Sequence, residues 1–301
     1  FNVESEPELE ILNIRAVKMG KKAHVSFRIN PDVDARTHAK ISTGKKENKF
    51  GISYERARAV YAHAATLPGI HVSGIDMHIG SQIVELQPFE DAFRLLRELV
   101  ETLRGDGHTI EHVDIGGGLG IPYKDDNTPP PLPDAYAHIV KAQLRSLNCK
   151  IVTEPGRLIV GNAGILVTEV IFVKDAGDKT FVIVDGAMND LIRPTLYEAY
   201  HAIRPVAIPA PDAPRIKADV VGPVCETGDY LALDREMARP AAGDLFAIAS
   251  AGAYGAVQAG TYNSRLLIPE VLVKGDEFHV IRPRTTYEEL IGLDSIPDWL
   301  A

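Results

Sequence analysis

Four short groups of glycine, acidic, basic and sulfur-containing residues have a composition and spacing that could carry chemistry. In chain order they are His78-Ile79-Gly80-Ser81-Gln82, Asp114-Ile115-Gly116-Gly117-Gly118, Glu154-Pro155-Gly156-Arg157 and Gly222-Pro223-Val224-Cys225-Glu226-Thr227-Gly228-Asp229. The glycine run at 116–118 follows an apolar stretch, so its backbone N–H groups could approach a phosphate without interference from Cβ atoms. The carboxylate of Glu154 with the nearby guanidinium of Arg157 suits a phosphate-bearing ligand with a cationic ring.

Each group also has a purely structural explanation. A glycine run often forms only a tight turn between a strand and a helix, and Glu154 with Arg157 could be a surface ion pair. Cys225 alone could pack as a small hydrophobic side chain. A Rossmann dinucleotide site is excluded by spacing, because G-x-G-x-x-G starting at Gly116 would require glycine where the chain has Ile121. The ordered set is therefore more informative than any one group.

Alternating apolar strands and amphipathic helices are predicted to position the first three groups. The predicted strands are Phe1–Glu4, His24–Ile29, Val72–His78, Ile110–Ile115 and Ile151–Thr153, and the predicted helices are Glu6–Met19, Tyr54–Thr66, Phe89–Leu103 and Tyr136–Leu147. A polar loop up to Lys49 follows the second strand. We expect Ser5 and Glu8 to form a capping box on the first helix, and Ser53 to cap the second.

This β-α repetition predicts parallel strands joined by right-handed crossovers, in either a doubly wound sheet or a (β/α)8 barrel. Polar or glycine-rich groups follow the strands at Arg28–Asn30, His78–Ser81, Asp114–Gly118 and Glu154–Arg157. Such groups at the carboxyl ends of successive strands favour a barrel, which places its active site there. We therefore predict an α/β fold in which residues 1–159 form a partial (β/α)8 TIM barrel with about five of the usual eight strands.

From residue 160 onward the pattern changes to short strands without comparable amphipathic helices. The strand-like segments are Leu166–Val173, Thr180–Val184, Asp219–Val224 and Leu245–Ala249, and a hairpin around Lys274-Gly275-Asp276 is predicted between Leu266–Val273 and Phe278–Ile281. Arg204–Arg215 contains four prolines and is predicted to be a surface loop. We therefore predict that residues 160–301 form a second, all-β domain with a β-sandwich or barrel-like architecture.

Composition argues against several classes of partner. The chain has 301 residues, 45% of them hydrophobic and 24% charged, with a formal net charge of -9. Binding to a nucleic-acid backbone depends on clustered Lys and Arg, so no nucleic-acid partner is expected. No apolar run approaches the ~20 residues of a membrane span, so no membrane partner is expected. Two distant cysteines, Cys149 and Cys225, predict neither a disulfide framework nor a metal site, and they favour the cytoplasm.

In this order, the four groups resemble the fold-type III pyridoxal-phosphate-dependent decarboxylases. The resemblance extends to Phe1-Asn2-Val3-Glu4-Ser5-Glu6, Phe27-Arg28-Ile29-Asn30-Pro31, Lys49-Phe50-Gly51-Ile52 and Ala253-Tyr254-Gly255, and so covers essentially the whole chain. It implies that residues 1–159 form an alanine racemase-like barrel that binds pyridoxal 5'-phosphate. It also implies that residues 160–301 contribute substrate-binding and interface residues of a cytoplasmic homodimer with shared active sites.

The resemblance implies a role for each residue of the cofactor site. His78 would stack on the pyridine ring, Glu154 would hold the ring nitrogen protonated, and Cys225 of the second subunit would return a proton to the α-carbon. The implied catalytic residues are thus Cys225, Glu154 and His78. The implied cofactor-binding residues are His78, Ser81, Gly117, Gly118, Glu154, Gly156, Arg157 and Tyr254.

The substrate-binding residues that the resemblance implies suit a substrate with an ammonium and a carboxylate at its distal end. They are Arg157, Arg193, Tyr197, Glu226 and Tyr254. Arginine binds carboxylates through a planar donor fork, and a buried Arg193 would be unfavourable opposite a diamine tail. The implied reaction is decarboxylation of meso-2,6-diaminopimelate to L-lysine and CO2, the last step of lysine biosynthesis. Alternatives are decarboxylation of ornithine, arginine or lysine, an alanine racemase-like activity, and a non-catalytic decarboxylase-like regulator.

One motif of the resembled family does not occur in this sequence. The family attaches its cofactor to a lysine in a Tyr-Ala-x-Lys-Ala-Asn strand, which is absent here. Ala16-Val17-Lys18 is a superficial match, but it lies at the end of a predicted helix and is followed by Met19-Gly20. We therefore expect an N-terminally truncated chain that lacks about three of the eight barrel strands.

Overall fold

The computed structural model describes residues 1–44, 49–124 and 129–300. These residues form two compact units, of which the first contains residues 1–121 and 129–159 and the second contains residues 122–124 and 160–300. Each unit has its own hydrophobic core. Part of the polar loop predicted up to Lys49 lies outside the described residues.

The first unit is a parallel sheet with helices in its connections. Its strands are β1 (Asn2–Val3), β2 (Ala23–Asn30), β3 (Ile52–Ser53), β4 (Ile70–Asp76), β5 (His112–Asp114) and β6 (Lys150–Val152). Its helices are α1 (Glu6–Lys18), α2 (Ala57–Ala64), α3 (Gln87–Gly105), α4 (Pro133–Leu144) and α5 (Arg157–Val160). The strand order is β1-β2-β4-β5-β6 with β3 added beside β2, and the paired strands are parallel. All five predicted strands are present, in chain order across the sheet.

Helix α3 shows how the sequence pattern covers this sheet. Phe93, Leu96, Val100 and Leu103 recur every three or four residues, and each is at most 2% exposed. They belong to the same core as Phe27 of β2. Complete burial of one such side chain contributes roughly 1.5–3 kcal/mol. The packed strands are held in parallel, so the loops after β2, β4, β5 and β6 emerge at one edge of the sheet.

Two helix starts differ from the predictions. The hydroxyl of Ser5 accepts from the backbone N–H of Glu8 (3.3 Å), but the Glu8 carboxylate accepts from the N–H of Glu4 (2.7 Å), so half of the capping box is shifted by one residue. Ser53 forms no side-chain cap, and that prediction was wrong. A 3-10 turn lies between Ser53 and the first α-helical residue, Ala57, which leaves Ser53 outside the N-cap position of α2.

The second unit is a mostly antiparallel sheet with an additional hairpin. Its strands are β7 (Leu166–Ala176), β8 (Lys179–Val184), β9 (Ile203–Pro205), β10 (Arg215–Val221), β11 (Tyr230–Ala238), β12 (Leu245–Ile248), β13 (Glu270–Lys274) and β14 (Glu277–Arg282). The main sheet has the order β11-β10-β8-β7-β12-β9, in which β8 and β10 pair in parallel, while β13 pairs with β14. Helices α6 (Arg193–Tyr197) and α7 (Tyr287–Ile291) have five residues each. Within residues 1–44, 49–124 and 129–300, no helix has the length and apolar character needed to cross a membrane.

Strands of the second unit whose alternate residues are buried in its core could be predicted from the sequence. Alternate residues of β7 are buried, including Leu166 and Val170, and they pack with Val182 and Val184 of β8. The predicted hairpin is confirmed, although its first strand begins at Glu270. The strand predicted over Asp219–Val224 instead ends at Val221 and begins at Arg215.

Strands β9 and β11 were not predicted. β9 takes the first residues of the predicted Pro-rich loop, where Pro205 is tolerated because β9 is an edge strand. β11 contains the consecutive charged residues Asp234, Arg235 and Glu236, which hide its strand character. Its pairing with β10, rather than its own alternation of apolar residues, holds it in the sheet.

Candidate active site

Predicted site residues of the first unit lie in loops at the carboxyl edge of its parallel sheet. His78 and Ser81 follow β4, Gly117 follows β5, and Glu154 and Arg157 follow β6. This edge is the usual ligand-binding side of a parallel sheet, because adjacent strands deliver their loops to one place. The structure therefore brings together three of the four groups singled out in the sequence.

Close packing between these loops requires the glycine turn. A Cβ atom on Gly117 would lie 2.2 Å from the carbonyl oxygen of Glu154, and one on Gly118 would lie 2.3 Å from the carbonyl oxygen of Gly80. Gly118 also has a φ of +103°, which other residues rarely adopt. The backbone N–H of Gly117 donates to Nδ1 of His78 (3.2 Å). The glycine run therefore has a structural role in addition to any contact with a phosphate.

Three carboxylates meet at the carboxyl ends of β4, β5 and β6. Oxygen atoms of Asp76, Asp114 and Glu154 lie within 4.8 Å of one another. Burial, followed by the negative charge of Asp114, raises the pKa of Asp76 to about 7. Burial and Asp114 likewise raise the pKa of Glu154. Such a cluster can hold a proton, a protonated ring nitrogen or a metal cation.

Arg28 partly balances this negative charge. It forms an ion pair with Glu4 (2.7 Å), and its guanidinium carbon lies 4.8 Å from the centre of the Phe50 ring. Its positive charge acts to lower the pKa of both Asp76 and Glu154, against the larger effect of burial. We assigned no role to Arg28 or Asp76 from the sequence, although Arg28 lies in a stretch that carries the family resemblance and Asp76 shortly precedes His78.

His78 is held as a neutral ring. Burial, and then the positive charge of Arg28, lowers its pKa to about 4. Because Nδ1 accepts from the N–H of Gly117, the proton of the neutral ring is assigned to Nε2. An uncharged aromatic ring of this kind can stack on a cationic heterocycle.

Arg157, after β6, and Ser81, after β4, are hydrogen-bonded to each other, and both side chains can donate to a ligand. Arg157 is 6% exposed, and its Nη2 donates to the hydroxyl of Ser81 (3.1 Å). The backbone carbonyl of Ser81 accepts from the hydroxyl of Thr37 (2.8 Å), which helps to fix the loop. Gly156 precedes Arg157, which begins α5. An arginine with a neighbouring hydroxyl and glycine N–H groups suits binding of a phosphate.

In the second unit, a buried carboxylate holds the loop that carries Cys225 and Glu226. Asp229 is 3% exposed and accepts from the backbone N–H groups of Met188 (2.6 Å) and Val224 (2.7 Å). The hydroxyl of Thr195 in α6 donates to the carbonyl of Gly228 (2.5 Å). Cys225 and Glu226 are both exposed. This arrangement fixes the loop backbone while leaving the thiol and the carboxylate accessible.

Arg193 and Tyr197 are the first and last residues of α6. Arg193 is 4% exposed, and a left-handed residue, Glu198, turns the chain immediately after Tyr197. Tyr254 has a φ of +59° although it is an aromatic residue, and it is 38% exposed. A bulky side chain on a strained backbone is characteristic of functional sites, because the surrounding fold must stabilise it.

Tyr262 is a further residue beside this loop that the sequence did not reveal. Its hydroxyl hydrogen-bonds to Glu226, which raises the pKa of Tyr262. The side chain of Asn189 donates to the carbonyls of Gly260 (2.9 Å) and Tyr262 (3.0 Å) and so fixes this segment. No motif points to Tyr262, because its partner lies in a different loop.

A known protein family matches the region of the chain that contains the first unit. A family model described as "Pyridoxal-dependent decarboxylase, pyridoxal binding domain" matches residues 1–161. Curated diaminopimelate decarboxylases from Zymomonas mobilis and Pseudomonas aeruginosa are 49% and 52% identical to the chain over 300 and 296 residues. The matches cover 100% and 98% of this chain, which spans 70% of the length of each relative.

Solved structures give the same result. Diaminopimelate decarboxylase from Helicobacter pylori, complexed with L-lysine, matches with a TM-score of 0.91 at 39% identity, over 97% of this chain and 72% of that one. The M. jannaschii enzyme, in co-complex with L-lysine, matches with a TM-score of 0.92 at 37% identity, over 100% and 70%. The arginine decarboxylase of Paramecium bursaria Chlorella virus, at 21% identity and a TM-score of 0.75 over 87% and 68%, shares the fold. The chain belongs to the diaminopimelate decarboxylases, within the pyridoxal-dependent decarboxylase family.

Proposed function

We propose that this chain supplies cofactor- and substrate-binding residues for decarboxylation of meso-2,6-diaminopimelate to L-lysine and CO2, the last step of lysine biosynthesis. The observation that carries the proposal is the meeting of Asp76, Asp114 and Glu154 beside the neutral ring of His78. The proposal is supported by family membership and by the L-lysine in the two solved relatives, since L-lysine would be the product here.

The residues of the first unit fit pyridoxal 5'-phosphate. Ser81, Gly117, Gly118, Gly156 and Arg157 would surround its phosphate, and His78 would stack on its ring. Within the described parts of the chain, Oδ1 of Asp76 is buried without a hydrogen-bond partner, as expected where a ligand completes a site. The lysine to which the family attaches its cofactor is not among the residues that this chain contributes.

Glu154 would keep the ring nitrogen protonated. Burial and the negative charge of Asp114 raise the pKa of Glu154 and so disfavour its ionisation, but an adjacent cationic nitrogen would favour it, so the carboxylate and the pyridinium would stabilise each other. When bound, the cofactor supplies an electron sink for the electron pair left on the α-carbon when CO2 departs. We assign the carboxylate cluster to this role rather than to a metal ion.

Cys225 would return the proton to the α-carbon. Its thiol is exposed on a loop whose backbone is held by the hydrogen bond from the N–H of Val224 to Asp229. An exposed thiol on a fixed loop is suited to an acid that reaches a neighbouring site. We propose that it serves the active site of the second subunit in a cytoplasmic homodimer. Residues 160–301 would then form the β domain that supplies the substrate and dimer-interface residues, and residues 1–159 the partial alanine racemase-like barrel that binds the cofactor.

The distal end of the substrate would be selected by charge. Arg157, Arg193 and Tyr197 would bind its carboxylate, Glu226 would bind its ammonium, and Tyr254 would lie near the cofactor and the substrate. The hydrogen bond from Tyr262 would orient the Glu226 carboxylate. A guanidinium fork discriminates strongly for a carboxylate, so ornithine, which lacks a distal carboxylate, should be a poor substrate.

An activity assay on the gene product that contains this chain tests the proposal. We expect CO2 and L-lysine from meso-diaminopimelate, and a loss of at least about 100-fold in kcat for Glu154→Ala, because the proton on the ring nitrogen is no longer held. Cys149→Ala is the matched control and should retain activity, since Cys149 lies near Arg104 and away from these groups.

The alternatives give different results in the same assay. Equal turnover of ornithine would contradict the assignment of the substrate. No CO2 release from any basic amino acid, together with retained cofactor binding, would instead favour a non-catalytic regulator.

A further inference from the structure

Arg193 is held from two sides by neutral groups of its own unit. Its Nη1 lies 2.8 Å from Nε2 of His201, and its guanidinium carbon lies 4.6 Å from the centre of the Tyr123 ring. The Tyr123 and His201 rings also contact each other edge to face, with centroids 5.1 Å apart. Arg193 is 4% exposed and His201 is 0% exposed. A lone pair and an aromatic face can together fix the orientation of a guanidinium.

The hydrogen bonds of His201 define which of its nitrogens carries the proton. A guanidinium can only donate, so Nε2 of His201 must present its lone pair to Arg193. Nδ1 lies 2.9 Å from the carbonyl oxygen of Ala249, which can only accept. His201 is therefore the neutral tautomer with the proton on Nδ1. A second proton on Nε2 would point an N–H at the guanidinium and remove this hydrogen bond.

The fold fixes the position of His201 through its backbone. Ile203 of β9 pairs with Ile248 of β12, and the N–H of Ala249 donates to the carbonyl of Ala202 (2.8 Å), which continues this pairing next to His201. The carbonyl of His201 itself accepts from Nη1 of Arg235 (3.0 Å). The histidine is thus anchored to the sheet, whereas Arg193 extends from the short helix α6.

We propose that His201 is a positioning residue for substrate selection, because it holds the Arg193 guanidinium in a single orientation toward the distal carboxylate of the substrate. The proposal rests on the function proposed for Arg193 above. His201 is fully buried, so it acts through Arg193 rather than by touching the substrate. Tyr123 completes the support by closing one face of the guanidinium.

Two probes separate recognition of the carboxylate from binding in general. L-lysine retains the distal carboxylate, and cadaverine is lysine without it, so the ratio of their dissociation constants reports the contact with Arg193. In the cofactor-loaded protein, His201→Phe keeps a ring against Tyr123 but removes the acceptor. We expect calorimetry to show Kd for L-lysine rising about tenfold, with Kd for cadaverine unchanged within about twofold.

Two more variants separate positioning from folding. His201→Gln can present an amide oxygen to Arg193 and an amide N–H to Ala249, and it should recover part of the preference for L-lysine. Ile248→Val perturbs the neighbouring strand without removing a polar group and should leave the preference unchanged. An equal loss of preference in Ile248→Val would show that His201 has only a structural role.

Arg193→Met distinguishes this proposal from the function on which it rests. If Arg193→Met abolishes the preference for L-lysine and His201→Phe retains it, the positioning role of His201 is refuted and the role of Arg193 stands. If Arg193→Met also retains the preference, the proposed recognition of the distal carboxylate is refuted.

A spectroscopic measurement tests the tautomer without using activity. Nitrogen-15 NMR of the imidazole groups, with His201→Phe used to assign the His201 resonances, should show a protonated Nδ1 and an unprotonated Nε2 at neutral pH. A protonated Nε2 on His201 would overturn the proposal, because that nitrogen could not accept from Arg193.

Discussion

At the scale of single residues, Asp76 lies at the carboxyl edge of the first unit's sheet, where ionisation of its carboxyl is unfavourable. Its carboxyl is 3% exposed and lies among two other acids, with Arg28 as a partial counterion. The raised pKa of about 7 means that the folded protein retains a proton that the unfolded chain releases near pH ~3.9. The stability linked to Asp76 is therefore fully present at low pH and is lost as the pH rises through about 7.

Asp76→Asn should remove this dependence on pH, because an amide cannot ionise. Relative to the parent, we expect Asp76→Asn to be more stable at about pH 8 than at about pH 4, by roughly 3–4 kcal/mol in the free energy of unfolding. Urea unfolding at both pH values measures the difference. Asp234→Asn, at a side chain that is 69% exposed, is the control and should show little change. The same stability difference at both pH values would show that Asp76 does not retain the proton.

Residue identities predicted much of the site but not its supporting contacts. His78, Ser81 and Arg157 could be grouped because each follows a strand that the apolar pattern reveals. The contact between Arg193 and Tyr123 could not be predicted, because Tyr123 lies 70 residues before Arg193 in the sequence. The raised pKa of Asp76 could not be predicted either, since it depends on three strands meeting at one edge.

At the scale of elements, the turn after β5 is defined by how closely it approaches the loop after β6. The sequence predicts the turn because a glycine run follows an apolar strand. It does not predict the contact with Glu154, since that contact depends on the pairing of β5 with β6. The same limitation hid β11, whose charged second half is held by its neighbour β10.

Gly117→Ala should displace both loops. Its Cβ would lie 2.2 Å from a backbone oxygen that cannot move independently, so we expect a loss of roughly 1–3 kcal/mol of stability and weaker cofactor binding. Gly105→Ala, at the end of α3 with no atom near the added Cβ, is the matched control and should be neutral or slightly stabilising. Urea unfolding and fluorescence titration with pyridoxal 5'-phosphate provide the two measurements. Wild-type values for Gly117→Ala would mean that the loops can separate freely.

At the scale of the whole molecule, the residues that the structure describes form two separate hydrophobic cores. One joins the parallel strands to α1–α4, and the other lies in the antiparallel sheet from β7 to β12. The change in sequence pattern near residue 160 comes from this change of architecture, because buried parallel strands and half-exposed antiparallel strands need different alternation of apolar residues. For that reason the fold class of each half of the chain was easier to predict than the residues at which its strands begin and end.

Cavities in the two cores should have local effects. Leu96→Ala and Ile248→Ala each remove a side chain that is 0% exposed and should cost about 2–5 kcal/mol. Hydrogen exchange followed by mass spectrometry should show faster exchange mainly in α3 and α4 for Leu96→Ala, and mainly in β7 and β12 for Ile248→Ala. The same exchange pattern in both variants would mean that the cores open as one cooperative unit.

The contacts of Asp229 join two segments of the second unit that have different proposed roles. Its carboxylate and the hydroxyl of Thr195 tie the Cys225 loop to the segment that contains Arg193. In the proposed mechanism, one side of this connection delivers the proton and the other selects the distal group. Selection for a new substrate through α6 would therefore also shift the thiol, and such variants should need compensating changes in residues 222–229 before they regain turnover.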